Sequence, residues 1–252
     1  MSSAVLSHLK LLGKKCLVTG GSQGIGLAIA QRFAREGASL LLVSRNPAKL
    51  DAALATLPTV DASQKHAVAP FDLSQSRGFT EADLGTKLTS IDVLVNCAGV
   101  AQSSLLLSTS SETVSQLVNL NLLGTVYASQ ALLKPMIRRR GGCIVNVSSV
   151  LGRRGVKGTS VYAATKAGVT AFTRSLAVEL AGRNIRVNSL CPGLVDTEMA
   201  ESVDGSLREL FTAQSPSKKL IPAEAIADAA LTLVLSEHMN GTELIVDGGF
   251  TA

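Results

Sequence analysis

The chain has 252 residues, of which 46% are hydrophobic and 17% are charged. This composition is typical of a folded globular protein and excludes a disordered chain. The longest apolar runs, such as residues 39–43, have the length of a strand, so no membrane-spanning helix is predicted. The net charge of +5 would suit nucleic acid, but two tyrosines, no tryptophan and no binding motif argue against that partner.

The four cysteines are spaced far apart, lie in or beside apolar runs and show no metal-ligand spacing. We therefore expect buried thiols, no metal site and a reducing compartment, either the cytoplasm or the mitochondrial matrix, and not secretion. The first acidic residue is Glu36, so the start of the chain could be the remnant of a transit signal. A short surface segment that leads into the first strand is favoured, because these residues include no arginine and are few.

Strand-like and helical segments alternate along the chain. The predicted strands are KKCLVTG, SLLLVSR, HAVAPFD, DVLVNCAG, CIVNVSS, IRVNSLCPG and ELIVDGG. Helical patterns follow the first strand and recur near 47–57, 74–88, 111–139, 162–181, 198–213 and 222–236. Alternation of this kind, with unbroken apolar strands and no linker, predicts one α/β domain over residues 1–252. It should be a doubly wound parallel sheet of about seven strands with helices on both faces.

A glycine-rich loop, TGGSQGIG, lies between the first strand and the first helix. Gly20 can form the tight turn, Gly24 can let the backbone approach a pyrophosphate, and Gly26 permits close helix packing. The helix N-terminus then supplies free N–H groups to an anion. The spacing T-G-x-x-x-G-x-G differs from the common G-x-G-x-x-G. We interpret the loop as a dinucleotide site, with a purely structural turn as the alternative.

The end of the second strand reads Ser44-Arg45-Asn46. An NAD site usually has an acid there, whereas Arg45 could bind a ribose 2′-phosphate through charge-assisted hydrogen bonds. NADP(H) is therefore favoured over NAD(H). The alternative is that Arg45 is a solvated surface residue.

Tyr162 and Lys166 are four residues apart on a predicted helix, which places both on one face. An ordinary surface pair is one interpretation. The other is a catalytic phenol beside an ammonium, at the end of the sheet where open α/β folds bind ligands.

Several motifs occur in order after the glycine loop: NCAG (96–99), NLLG (121–124), NVSSVLG (146–152), YAATK (162–166) and CPGLVDTEM (191–199). With them the chain resembles the short-chain dehydrogenase/reductase family from about Lys14 to its C-terminus. Within the family it is most similar to 3-oxoacyl-acyl-carrier-protein reductases and carbonyl reductases. The resemblance implies a Rossmann-like sheet, a homotetramer and NADPH-dependent reduction of a 3-oxoacyl thioester in fatty acid synthesis.

The resemblance also implies the catalytic residues Asn121, Ser149, Tyr162 and Lys166, with Ser149 chosen over Ser148 because it precedes Tyr162 by thirteen positions. Hydride addition to a ketone builds negative charge on oxygen, which needs a proton and hydrogen-bond donors. Tyr162 would be the general acid, and Ser149 would bind the carbonyl. Lys166 would hold the nicotinamide ribose and, with the cationic nicotinamide, lower the pKa of Tyr162 from about 10 towards 7. Asn121 would hold a relaying water.

By the same resemblance, further residues should contact the cofactor. They are Ser22, Gln23 and Ile25 in the glycine loop, Ser44 beside Arg45, Asp72 and Leu73 at the adenine, Asn96, Ala98 and Gly99 at the ribose and phosphates, Tyr162 and Lys166, and Pro192, Gly193, Val195 and Thr197 at the nicotinamide and diphosphate. One departure concerns Gln23, because NADP-dependent relatives often have a basic residue inside the loop. Another is Cys97, which we interpret as a small residue without chemistry.

No acid occurs between Glu112 and Glu179, although basic residues are frequent there. A basic surface attracts anions. One interpretation is a docking surface for an acidic carrier protein, and the other is a face that is only solvated. The resemblance implies that Arg140 and Arg183 dock this carrier, whereas the alternative is that each caps a helix C-terminus. A loop near 197–220 should shape the substrate pocket. Rival functions are reduction of free ketones, quinones or sterols, and a cofactor-binding scaffold subunit.

Overall fold

The computed structural model describes residues 8–75, 77–202 and 205–252. Within them lie seven strands: β1 (Lys15–Thr19), β2 (Ser39–Ser44), β3 (Ala67–Pro70), β4 (Val93–Asn96), β5 (Gly142–Val147), β6 (Ile185–Pro192) and β7 (Glu243–Val246). The helices are α1 (Gly24–Arg35), α2 (Pro47–Ala55), α3 (Glu81–Leu84), α4 (Ser111–Leu117), α5 (Gly124–Arg139), α6 (Ser160–Leu180), α7 (Glu198–Ser202), α8 (Gly205–Gln214) and α9 (Ala223–Leu235).

The described strands form one parallel sheet in the order β3-β2-β1-β4-β5-β6-β7. β1 pairs with β2 on one side and with β4 on the other, so the strand order reverses at β1. Ligands bind outside the carboxyl ends of the strands at such a switch point. The predicted doubly wound, Rossmann-like fold is confirmed.

The sheet is covered on both faces because successive strand residues point in opposite directions. Cys16 and Val18 of β1 join a core with α1, α2 and α9. Leu17, between them, joins the opposite core with α3, α5 and α6. The five inner strands therefore bury apolar side chains on both faces, which explains their unbroken apolar runs in the sequence.

The helix predicted near 74–88 is much shorter than expected. It is reduced to α3, which begins after a capping box formed by Thr80 and Asp83 and ends at Gly85 with a φ of 58°. A three-residue 3₁₀ turn, Leu88–Ser90, follows before β4. The capping box sets the start of the helix at Glu81, and the left-handed conformation of Gly85 terminates it.

The long helix predicted over 111–139 is present but not uniform. Between α4 and α5 the chain forms a π-helical segment, Val118–Leu123, and Asn121 lies within it. π-Helical insertions occur frequently at functional sites. The predicted catalytic residue Asn121 therefore lies where the regular α-helical hydrogen bonding is interrupted.

The four cysteines are unpaired, with Cys97 half-buried and the other three buried. Burial raises the pKa of every one of these thiols, which keeps them protonated near neutral pH. Among the described residues, no helix is both long enough and apolar enough to cross a membrane.

Candidate active site

A cavity of about 690 Å³ opens at the carboxyl ends of β1, β4, β5 and β6. Most of the predicted cofactor residues line it, namely Gly20, Ser22, Gln23, Gly24, Ile25, Gly26, Ser44, Arg45, Leu73, Ala98, Gly99, Tyr162, Lys166, Pro192, Gly193, Val195 and Thr197. Residues from across the chain therefore converge where the strand order reverses. The cavity is large enough for a small-molecule or cofactor site.

Two predicted cofactor residues do not line this cavity. The Asp72 carboxylate accepts hydrogen bonds from the Ser74 backbone N–H at 2.9 Å and from the Ser74 hydroxyl at 2.8 Å. Asn96 is buried, and its amide group donates to Ser129 Oγ at 3.0 Å and to Asn146 Oδ1 at 2.8 Å. These side chains stabilise a turn and the sheet interior, and their contacts with the cofactor stay a prediction.

Ser149, Tyr162 and Lys166 meet in the cavity, at the end of β5 and the start of α6. The Tyr162 phenol is hydrogen-bonded to the Ser149 side chain. The Lys166 ammonium lies 5.7 Å from the centre of the Tyr162 ring and donates to the Val147 carbonyl oxygen at 2.9 Å. This carbonyl bond leaves two ammonium protons of Lys166 for other acceptors.

Burial raises the pKa of Tyr162 to about 12, although its hydrogen bond with Ser149 acts in the opposite direction. Burial also lowers the pKa of Lys166. The lowering of the Tyr162 pKa that the sequence predicts is therefore not produced by these residues alone. Without cofactor the phenol is a neutral proton donor at physiological pH.

Gln102 was not identified from the sequence, yet it links the loop after β4 to the start of α6. Its buried side chain accepts hydrogen bonds from the backbone N–H groups of Val161 at 2.9 Å and Tyr162 at 3.0 Å. Thr159 occupies the N-cap position of α6, but its side chain makes no capping hydrogen bond. Gln102 therefore acts as the cap of α6 and fixes the turn that carries the phenol.

The Asn121 side chain is fully buried and engaged with the main chain of Val100. Its oxygen accepts from the Val100 N–H at 2.9 Å, and its amide group donates to the Val100 carbonyl at 3.0 Å. It thereby holds the loop that follows β4 against the π-helical segment. The relaying water that the sequence analysis assigns to Asn121 stays a prediction.

The glycine loop has the geometry that a dinucleotide site requires. Gly20 has a φ of 66°, and a Cβ there would lie 2.8 Å from the Ala98 Cα. Gly24 has a φ of 55°, and a Cβ at Gly26 would overlap the Gly20 carbonyl oxygen. A side chain at Gly26 would push α1 away from the loop, and one at Gly20 would push the loop away from Ala98. The N-terminus of α1 faces the cavity. The residues present fit a pyrophosphate at this helix N-terminus.

The end of β2 presents hydroxyl and basic groups to the cavity. Ser22 and Ser44 are joined by a hydrogen bond of 3.0 Å between their hydroxyls. Arg45 is exposed, and no acidic partner for it is present in the described part of the chain. Lys49 of α2, which sequence reasoning missed, also lines the cavity and donates to the Gln23 side-chain oxygen at 2.5 Å.

Arg140 and Arg183 are both exposed and lie at the opposite edge of the sheet. They directly precede the amino ends of β5 and β6, and Asn184 donates to the Arg140 carbonyl at 3.0 Å. Helix α6, which begins near Tyr162, spans 21 residues, or roughly 30 Å at the usual rise. The two arginines thus lie near each other at the amino ends of neighbouring strands and are remote from the cavity.

The acid-free stretch of sequence does not form one basic face. Arg139 forms an ion pair with Asp92 at 3.2 Å. Arg153 and Arg174 both lie 3.7 Å from the carboxylate of Glu243. Acids distant in sequence therefore neutralise part of the stretch.

The predicted substrate loop near 197–220 contains α7 and α8, and residues 203 and 204 lie outside the described residues. Met199, Leu207 and Phe211 from this region line the cavity beside the catalytic side chains. A second groove of about 540 Å³ shares Ser103 and Leu207 with it. This region therefore gives the cavity an apolar wall that adjoins the second groove.

Residues 14–207 match the family model described as short chain dehydrogenase. The chain is 37% identical over 241 residues to carbonyl reductase family member 4 of Xenopus laevis, covering 94% of this chain and 98% of the relative. It is 38% identical over 245 residues to the 3-oxoacyl-[acyl-carrier-protein] reductase FabG of Chlamydia trachomatis, covering 95% and 98%.

Solved structures give the same picture. A protein of Agrobacterium tumefaciens, assigned as a 2-deoxy-D-gluconate 3-dehydrogenase and crystallised with NADP, superposes with a TM-score of 0.84 at 28% identity, covering 96% of this chain and 98% of that one. A short-chain type dehydrogenase/reductase of Mycobacterium marinum superposes with a TM-score of 0.88 at 29% identity, covering 98% and 99%. The fold, the motifs and these similarities agree: the chain belongs to the short-chain dehydrogenase/reductase family of oxidoreductases.

Proposed function

We propose that this protein is an NADPH-dependent reductase of 3-oxoacyl thioesters on acyl carrier protein. The observation that carries the proposal is the meeting of Ser149, Tyr162 and Lys166 in a cavity that also contains the glycine loop. The similarity to FabG of C. trachomatis, whose name states this activity, supports the choice of substrate. The role in fatty acid synthesis is part of the same proposal.

The protein's own residues would supply the proton and the hydrogen bonds to the carbonyl oxygen of the substrate. A bound nicotinamide would supply the hydride, which is the cofactor's chemistry. Tyr162 donates its phenol proton to the substrate oxygen, and Ser149, already hydrogen-bonded to that phenol, orients the carbonyl. Lys166 has ammonium protons left for a ribose hydroxyl and is held in place by Val147. Burial raises the pKa of Tyr162. The positive charge of an oxidised nicotinamide ring beside the phenol would lower it.

The preference for NADP(H) rests on the end of β2. Arg45 stands there without an acidic partner in the described residues, and no carboxylate takes the place that would bind a ribose 2′-hydroxyl in an NAD site. A carboxylate would repel a 2′-phosphate, whereas a guanidinium binds one with two donors. The structure with bound NADP at a TM-score of 0.84 is compatible with this choice.

Docking of the carrier at Arg140 and Arg183 needs a second subunit. Both arginines lie at the amino ends of β5 and β6, whereas the cavity lies at the carboxyl ends. A carrier bound there would deliver its acyl chain to the cavity of another copy. The homotetramer implied by the family resemblance would provide that copy.

Reduction of free ketones is the second candidate function, because carbonyl reductase family member 4 is similar to an equal degree. A scaffold subunit is disfavoured, since it has no need of Ser149, Tyr162 and Lys166 lining one cavity. We propose a reducing compartment, the cytoplasm or the mitochondrial matrix, on the basis of four unpaired cysteines.

The test is NADPH oxidation by the purified protein with acetoacetyl carrier protein, a free 3-ketoester and a quinone, compared side by side. The proposal expects the carrier substrate to have the highest kcat/KM. Higher kcat/KM for the free ketoester or the quinone would replace it with the free-ketone reductase. No turnover of any of the three substrates would favour the scaffold.

A further inference from the structure

Lys49 lies in the first turn of α2, where it reaches over the glycine loop. Its ammonium donates to the Gln23 side-chain oxygen at 2.5 Å, and the residue lines the cavity. Lys49 is exposed, and the described part of the chain provides no acidic partner for it. The bond to Gln23 therefore brings a positive charge to a loop that has none of its own.

The surroundings of Lys49 favour an anion. Arg45 directly follows β2, and the hydroxyls of Ser22 and Ser44 lie 3.0 Å apart at the same end of that strand. The first turn of α2 contains no acid, and Asn46 caps it by accepting from the Lys49 N–H at 3.1 Å. The helix N-terminus adds partial positive charge to the two cations.

We propose that Lys49 is a specificity residue that binds the ribose 2′-phosphate of NADP(H) together with Arg45. The inference rests on the proposed NADP(H) preference. Gln23 occupies the loop position that is basic in many NADP-dependent relatives, and Lys49 supplies the missing charge from the neighbouring helix. Two cations on separate elements then hold one dianion, while the Ser22 and Ser44 hydroxyls add neutral hydrogen bonds.

The test compares Lys49→Met with Lys87→Met, which removes another exposed lysine in the segment that precedes β4. The measurements are the Kd of 2′,5′-ADP, 5′-ADP, NADPH and NADH by calorimetry, with circular dichroism as the check on folding. Lys49→Met should weaken 2′,5′-ADP and NADPH by about tenfold, as expected for one partly solvated charged hydrogen bond. Its affinities for 5′-ADP and NADH should change by less than about twofold, and added salt should shrink the difference.

Lys49→Arg should restore most of the lost affinity, because it keeps the charge. Equal weakening of NADPH and NADH in a folded Lys49→Met variant, or no weakening of either, overturns the assignment of Lys49 while the NADP(H) preference stands. If the unaltered protein binds NADH as tightly as NADPH, the proposed cofactor preference is wrong and this inference falls with it. The relative affinities of the unaltered protein for NADPH and NADH thus show whether the cofactor preference or only the assignment of Lys49 has failed.

Discussion

Replacement of Gln102 by leucine tests whether the cap of α6 positions the catalytic phenol. The side chain is 4% exposed and makes hydrogen bonds in two directions. Its oxygen accepts from the N–H groups of Val161 and Tyr162, and its amide group donates to the Ser104 carbonyl and the Thr109 hydroxyl, both at 3.2 Å. Leucine keeps a similar volume and removes all four bonds.

The expected loss of stability follows from these bonds. A lost helix cap costs about 0.5–2 kcal/mol. The two bonds made by the amide group contribute about 0.5–1.5 kcal/mol each. Water from the cavity can replace part of this, so we expect the free energy of unfolding to fall by about 2–3 kcal/mol. The larger consequence is catalytic, because misplacement of a reacting group by about 1 Å can cost a hundredfold in rate.

Gln64 provides a matched control. It is 7% exposed, accepts from the N–H groups of Val60 and Asp61 at 2.7 and 2.9 Å, and donates to the carbonyls of Ala34 and Ala38 at 2.8 and 2.9 Å. It does not line the cavity. Gln64→Leu should therefore lower the free energy of unfolding by a similar amount and leave the kcat unchanged.

The assay combines urea unfolding with kcat and KM for NADPH oxidation. Gln102→Leu should lower kcat by about ten- to a hundredfold with a small change in the KM for NADPH. Gln102→Glu keeps an acceptor for both helix N–H groups and should restore most of kcat. Equal kcat in the two leucine variants would refute the positioning role of Gln102.

Two further predictions concern the carrier and the phenol. Arg140→Glu with Arg183→Glu should raise KM for the acyl carrier substrate, less so at high salt, while a free ketoester is reduced as before; a parallel loss for both substrates contradicts docking. Spectroscopic titration of the cofactor-free protein, with the Tyr162→Phe signal subtracted, should show phenolate only near pH 12, because burial raises the pKa of Tyr162; ionisation at or below the ordinary value near 10 contradicts this.

The fold and the centre of the site could be predicted from the sequence because both depend on local patterns. Alternating apolar strands and helices determine a doubly wound sheet, and the carboxyl ends of its strands meet at one edge. The helical spacing of Tyr162 and Lys166, with Ser149 at the end of a strand, then brings the three side chains together. Each of these steps uses neighbours in the chain or a known rule of topology.

What the sequence did not reveal depends on contacts between distant residues. Gln102 is separated by 59 and 60 positions from the N–H groups that it caps. The acids that neutralise Arg139 and Arg174 are Asp92 and Glu243, which are distant from them in the sequence. Lys49 gave a weak signal, since a cation in the first turn of a helix opposes the helix dipole and calls for an anionic partner.

The turnover of Tyr162→Phe tests the central claim, that this site reduces carbonyl groups with a proton from the phenol. Tyr127→Phe is the matched control, because Tyr127 is the other tyrosine of the chain and does not line the cavity. Both variants should bind NADPH like the unaltered protein. Tyr162→Phe should lose at least about a hundredfold in kcat, as for loss of general acid catalysis, and Tyr127→Phe should lose none. Near-normal reduction by a correctly folded Tyr162→Phe protein would contradict the mechanism.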